Sequence, residues 1–169
     1  MKLFRKLFVT IILFTAFSTI QAQKIAHIDS EQLLFSMPET KTMQTELKKV
    51  EQTYGDEYGE LAKSIEAKVK KYTAEGPTQT DAKNQERQLE LKTLEQKMQK
   101  FGQAAQSEIQ KKQFDLLKPI VEKAQKAVKD VAAEKGIIYV FDSSPGKGLI
   151  VFDKGEDLLP AVKVKLGIK

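Results

Sequence analysis

The sequence predicts an α+β chain in which a long antiparallel helical hairpin, a pair of tentacle-like arms, projects from a small β-sheet body. Three observations carry that expectation. Apolar residues step by three and four from Met43 to Tyr72, and again from Leu94 to Val131 with one step of seven between Ile109 and Leu116, the spacing of one face of an α-helix. Glu75-Gly76-Pro77-Thr78-Gln79-Thr80-Asp81 separates these stretches with residues that stop a helix. Short β-branched and apolar runs stand before and after them, as strands do.

The amino terminus comes first. Lys2, Arg5 and Lys6 precede an apolar run from Leu7 to Phe17, and Ile20-Gln21-Ala22 offers a small residue before a cut. This is the pattern of a secretory signal peptide, with cleavage between Ala22 and Gln23. The run is short for a membrane span of about 20 residues; the other reading is a retained amphipathic anchor. Removing residues 1–22 takes away three positive charges, so 28 basic against 23 acidic residues become 25 against 23, a net charge of +2. The basic character of the whole chain is thus partly a property of the signal. With no cysteine, there is neither a disulfide framework nor a lipid-accepting thiol.

Residues 23–169 read as one domain, with a body formed by 23–38 and 119–169 and arms formed by 39–118. Lys24 to Asp29 reads as a strand, in which His27 is a strand residue because no second histidine or cysteine completes a metal or catalytic set. Ser30 to Phe35 reads as a short helix. Ser36, with Pro38 and Glu39 behind it, is the expected N-cap of the first arm. That arm carries Met43, Leu47, Val50, Tyr54, Tyr58, Leu61, Ile65, Val69 and Tyr72, and its steps repeat every 11 residues. An 11-residue period gives a coiled coil that is nearly straight or slightly right-handed. From Glu39 to Glu75 the arm reaches about 55 Å at a rise of about 1.5 Å per residue.

Thr78 with Asp81 resembles a capping box for the return arm. That arm repeats Leu94, Ala105, Leu116 and Ala127 with the same 11-residue period. A turn centred between them pairs positions whose numbers sum to about 155, which sets Leu61 against Leu94, Tyr54 against Phe101 and Val50 against Ala105. Phe114, Leu117, Val121 and Val128 add a second stripe, so the apolar face widens toward the body. Pro119 is expected to kink or break the helix there, and Gly136 to end it.

Ile137 to Asp142 is almost wholly apolar, as a strand covered on both sides would be. Ser143 to Lys147 turns the chain, and Gly148 to Asp153 returns as a second strand. Pro145-Gly146-Lys147-Gly148 lacks the spacing of a phosphate-binding loop and leads into a strand, not a helix. Leu158, Leu159, Val162 and Leu166 suffice for a short closing helix. Ile25, Ile28, Ile137, Tyr139, Val140, Phe141, Leu149, Ile150, Val151 and Phe152 make a core too small to stand alone easily, so the body is expected to oligomerise.

The arms hold 15 basic and 14 acidic residues between Glu39 and Lys118, the balance of a solvated helical face. Near the tip, Lys68, Lys70 and Lys71 form a small basic cluster. It is either part of that solvated face or a contact for acidic client segments or anionic lipid headgroups. Gly55, Gly59 and Gly102 each cost about 1 kcal/mol in a helix interior, and they fall near one level. They are either an arm hinge or harmless exposed glycines.

The chain resembles the Skp/OmpH family of periplasmic chaperones. The residues that carry the resemblance are Ile25-Ala26-His27-Ile28-Asp29-Ser30, Leu33-Leu34, Ser36-Met37-Pro38-Glu39, Pro119-Ile120, Val131 to Gly136, Tyr139-Val140-Phe141-Asp142 and Lys165-Leu166-Gly167-Ile168-Lys169. Their order around a long helical hairpin is the specific feature. Leu158-Leu159-Pro160-Ala161 stands where related chains are more polar, which leaves the start of the last helix open. The resemblance implies a homotrimer whose strands join in a central β body. It also implies three hairpins enclosing a cavity that holds unfolded outer-membrane proteins without ATP or any cofactor.

Catalysis is poorly supplied, with one histidine and no cysteine, and no nucleophile, base and orienting group that the sequence brings together. Nucleic acid is a weak partner for a chain of small mature charge that carries an export signal. A periplasmic holdase for unfolded outer-membrane proteins is the expected function. A structural coiled-coil scaffold of the cell envelope is the alternative, and a scaffold would leave its stripes open for another protein, whereas this hairpin satisfies its own.

Overall fold

The computed structural model describes residues 24–147 and 154–168. The signal sequence with its Ala22–Gln23 cut, and the expected strand of Leu149, Ile150, Val151 and Phe152, lie outside the described residues. The described elements run β1 (Ile25–Ile28), α1 (Ser30–Ser36), α2 (Pro38–Glu75), α3 (Asp81–Lys135), β2 (Tyr139–Asp142), β3 (Glu156–Asp157) and α4 (Leu159–Lys165), with a 3-10 turn over Gly76–Thr78 between α2 and α3. They group into two compact units. One comprises Glu31–Lys126, and the other takes in the described residues up to Ser30 and from Ala127 onward.

The first unit is the hairpin. Its arms match most of the expected stripes: Met43, Leu47, Val50, Leu94, Met98 and Ile109 are half-buried, and Ile65, Ala105 and Ile120 are buried, whereas Tyr58 and Val69 are exposed. Tyr54 meets Phe101 edge to face with ring centroids 6.1 Å apart, as expected. The overall register, however, is longer than 155. Val69 and Leu91, Thr73 and Arg87, and Gly76 and Asn84 line one hollow from opposite arms, and each pair sums to 160.

The tip explains the shift. Gly76 does not adopt a left-handed cap but stays helical at φ −50°, so the chain passes into the 3-10 turn before it reverses. The cap of α3 is therefore Thr80, whose Oγ1 accepts from the Lys83 amide at 3.3 Å. Thr78 instead donates to the Glu75 carbonyl. At the other end of α2 the N-cap is Met37, followed by Pro38 at the first helical position. Ser36 turns its hydroxyl back to the Leu33 carbonyl at 2.7 Å, and Thr40 reaches the Leu34 carbonyl at 2.5 Å. These hydroxyls serve the end of α1; Ser36 stands one residue before the N-cap Met37, and Pro38 suits the first helical position, where an amide would have no intrahelical partner.

Pro119 does not break the return arm. α3 runs through it for 55 residues, since one lost hydrogen bond is set against apolar packing on both sides of the site. Gly136 ends α3 with φ +65°, a conformation that glycine adopts without a Cβ clash.

In the second unit three parallel strands lie in the order β2-β1-β3. Ile25 pairs with Tyr139 and Ile28 with Asp142, while Ala26 pairs with Glu156 and His27 with Asp157. β2 thus joins β1 across most of the chain, and the two-residue β3 was not foreseen. Ala26, Ile28, Ala127, Val131, Ile137, Leu158 and Val162 form the buried core. Within a single chain β2 is covered on one face only: Tyr139 and Phe141 are 55% and 44% exposed, because so small a sheet buries one face.

Parallel strands end at the same level, and here both end in Asp-Ser. Asp142 accepts from the Ser30 hydroxyl at 2.7 Å and the Ser144 hydroxyl at 2.6 Å. It also accepts from the amides of Ser144 at 3.0 Å and Ser30 at 3.3 Å, while an Asp29 carboxylate oxygen lies 3.1 Å from the same Ser144 hydroxyl and shares its one proton. Burial alone pushes the Asp142 carboxyl up, but these hydroxyls and amides outweigh it and hold the group at about 2, against an ordinary 3.8. A depressed carboxylate stabilises the fold above its unfolded pKa and loses that contribution as pH falls through the folded value. Stability should therefore drop by about 2 kcal/mol between pH 4 and pH 2 through this group. Asp142→Asn should remove that part of the acid dependence in urea titrations at each pH; an unchanged slope would refute the assignment.

Candidate interaction surfaces

On the sheet, β1 and β2 in register place Ile25, His27, Tyr139 and Phe141 on one face and Ala26, Ile28, Val140 and Asp142 on the other. The second face is the buried one. The first carries Ile25 at 49% exposure, with Tyr139 and Phe141 stacked at 6.4 Å between ring centroids. His27 belongs to this face and its Nδ1 lies 3.2 Å from the Ser143 hydroxyl. Of the body residues expected to mediate assembly, Ile25, Tyr139 and Phe141 are thus available at a surface. Ile28 and Ile137 are buried, and Val140 is half-buried.

The tip of the hairpin is closed by polar groups. The Tyr72 hydroxyl donates to Glu90 at 2.6 Å, and Lys68 donates to the other oxygen of the same carboxylate at 2.6 Å. The lysine and the hydroxyl hold the Glu90 carboxyl below its ordinary range, and Glu90 in turn raises Lys68. Arg87 lies over the Tyr72 ring at 4.6 Å and pairs with Glu75, and Asn84 donates to the Gly76 carbonyl at 3.0 Å. The sequence reading missed this network, because a register of 155 does not bring Arg87 to Glu75.

The basic cluster at the tip is therefore mostly engaged. Lys68 is paired with Glu90, and Lys70 with Glu66 at 2.6 Å, while Lys71 is exposed. Such exposed pairs contribute about 0–1 kcal/mol, so a stronger anionic partner can displace them.

The three glycines stand inside unbroken helix. Gly55 and Gly59 have open space where a side chain would be, and Gly102 lies 3.6 Å behind the Tyr58 ring, measured from the site of its absent Cβ. The longer register sets Gly102 against Tyr58 instead of residue 53, which brings it beside Gly59. Nearer the body end of the arms, Met43, Leu116, Pro119 and Ile120 line a hollow of about 310 Å³ rimmed by Glu39, Glu46 and Lys123. Its rim is held by the Glu39–Lys123 pair, whose hydrogen bond lowers the Glu39 carboxyl.

Among the described residues no helix is long and apolar enough to cross a membrane, and no group of three or more His, Cys, Asp or Glu side chains converges. The family model described as outer membrane protein (OmpH-like) matches residues 24–166. The chain belongs to the OmpH-like family. No curated protein sequence matches it. Its fold is similar to a crystal structure described as an OmpH-like outer membrane chaperone from Caulobacter crescentus, with a TM-score of 0.74 at 16% identity. That similarity covers 88% of this chain and 86% of the other. The OmpH-like match takes in β1, both arms, β2, β3 and α4, all but the last three residues of the span over which the residue resemblance was drawn.

Proposed function

We propose that this OmpH-like chain is an ATP-independent periplasmic holdase that binds unfolded outer-membrane proteins in a cavity between helical arms. The observation that carries the reading is the self-satisfied hairpin. Two arms of 38 and 55 residues cover each other's apolar stripes and present mixed charge outward, which suits many weak contacts with a client. Family membership supports a chaperone over a scaffold, and the similar structure's description as an outer membrane chaperone supports it further. Export with cleavage after Ala22 would place the protein where such clients travel.

The open sheet face supports assembly of the body, as a homotrimer by family resemblance. Ile25, Tyr139 and Phe141 would be covered by neighbouring copies, because apolar area of this kind gains about 25 cal/mol per Å² on burial. Native mass spectrometry of the exported protein should give a subunit beginning at Gln23 and a complex of three. Phe141→Asp should yield monomers with unchanged helix content, since Phe141 is already exposed within one chain. A monomeric wild type at micromolar concentration would overturn the assembly.

The arm glycines belong to the same reading as a hinge that varies cavity size. Replacing Gly55, Gly59 and Gly102 together by alanine should slow amide exchange over residues 52–60 and 98–104. Unchanged exchange there would leave them as plain exposed glycines.

Client protection should depend on arm length. With the register at 160, deletion of residues 62–72 together with 88–98 removes one 11-residue repeat from each arm and keeps the stripes in phase. The shortened protein should still assemble but should let large unfolded β-barrel proteins aggregate on dilution from urea. Equal protection by the shortened form would favour the scaffold reading, as would absence of protection by the full-length form.

A further inference from the structure

Among the described residues of the hairpin unit Phe35, Tyr58, Val69, Leu89 and Phe114 are exposed large apolar side chains, and Phe114 is the one with a lysine on either side of it along its helix face. It is 66% exposed, although it neighbours Leu116 and Ile120, which turn inward on the same helix. An isolated exposed phenylalanine is ordinary; its surroundings are not. Lys111 lies three residues before it and Lys118 four residues after, the spacing that puts all three on one helix face. Both lysines are exposed and make no ion pair among the described residues. Leu117 and Val121, half-buried, continue the apolar strip along α3. From Lys97 to Lys118 the helix holds five lysines against Glu108 and Asp115 alone, so this stretch of α3 carries a net positive charge.

We propose that Phe114, flanked by Lys111 and Lys118, is an anchor point for an extended client segment that carries an aromatic side chain beside acidic residues. The proposal rests on the holdase reading and names the part of a client that this arm prefers. An aromatic ring on the client meets Phe114 edge to face or offset, while carboxylates on either side reach the two lysines. Each contact is weak in water, and together they select acidic aromatic segments over basic ones. A lipid is the poorer match. An acyl chain gains about 0.8 kcal/mol per buried CH₂, and the ring, Leu117 and Val121 form a convex helix face with no groove to bury one.

The test uses the full-length mature protein with benzoylphenylalanine at position 114 or, as a control, at the exposed Gln103 of the same helix. Irradiation with a urea-unfolded outer-membrane β-barrel protein should crosslink the client from position 114 well above position 103. A short peptide with an aromatic residue between two aspartates should compete. The same peptide with lysines for aspartates, and phosphatidylglycerol vesicles, should not. Phe114→Ser should weaken client binding about fivefold, equivalent to about 1 kcal/mol, with helix content and assembly unchanged. Lys111→Gln with Lys118→Gln should abolish the preference for the acidic peptide. Crosslinks confined to a second copy of the chain, competition by vesicles alone, or equal crosslinking from both positions would overturn the anchor. A wild type that binds client while Phe114→Ser binds it equally well overturns the anchor and leaves the holdase reading standing; a wild type that binds no client overturns both.

Discussion

Two narrow apolar stripes covering one another are the constraint on which the hairpin depends. Along the hairpin neither arm has a broad hydrophobic face, and an isolated helix of mixed charge gains little from propensity alone. Each is held because the other runs antiparallel to it with the same 11-residue period, so every turn of α2 meets a matching turn of α3. The polar tip keeps that match in phase. Thr80 starts the return helix, Arg87 stacks on Tyr72 and pairs with Glu75, and Glu90 gathers Lys68 and the Tyr72 hydroxyl. Charged groups close the end where apolar residues would leave an exposed patch.

The body solves a different problem. Its central strand lies near the start of the chain and both partners lie beyond residue 138, so the sheet forms only after a long loop has closed. The Asp142 cluster locks that closure by tying the end of β1 to the end of β2 through two serines. Once the sheet exists, its size leaves one face bare. That bare face and the solvated arms divide the labour of the proposed holdase: apolar area for copies of itself, and dispersed weak contacts for a client. A patch such as Phe114 between two lysines adds preference without making the wall sticky, because one ring gains little until a client brings its own.

Much of the architecture was legible from spacing. α1, the two arms, Gly136 at the end of α3 and the short closing helix follow from periodicity and breaker residues, which are local properties. Tyr54 against Phe101 was also anticipated, because both lie on the stripes. The five-residue shift of the arm register was not. It depends on Gly76 remaining helical and on the cap moving from Thr78 to Thr80, choices made by packing at the tip. The same holds at Ser36, which serves the end of α1 one residue before the N-cap Met37, and at Pro119, where packing on both sides carries the helix through a missing hydrogen bond.

By itself the sequence determined that this chain has two long arms of matched period, a break between them, and strand-forming ends that must meet. Side-chain period and breaker chemistry act over a few residues, and so they can be read one stretch at a time. Only the tertiary structure decided which strands pair, that Tyr139 and Phe141 stay open while Ala26 and Ile28 are buried, that Asp142 is the clasp, and that Phe114 stands clear between two exposed lysines. Each of these rests on groups brought together from opposite arms or opposite ends of the chain, and no local pattern encodes which side of a helix or sheet will find a neighbour.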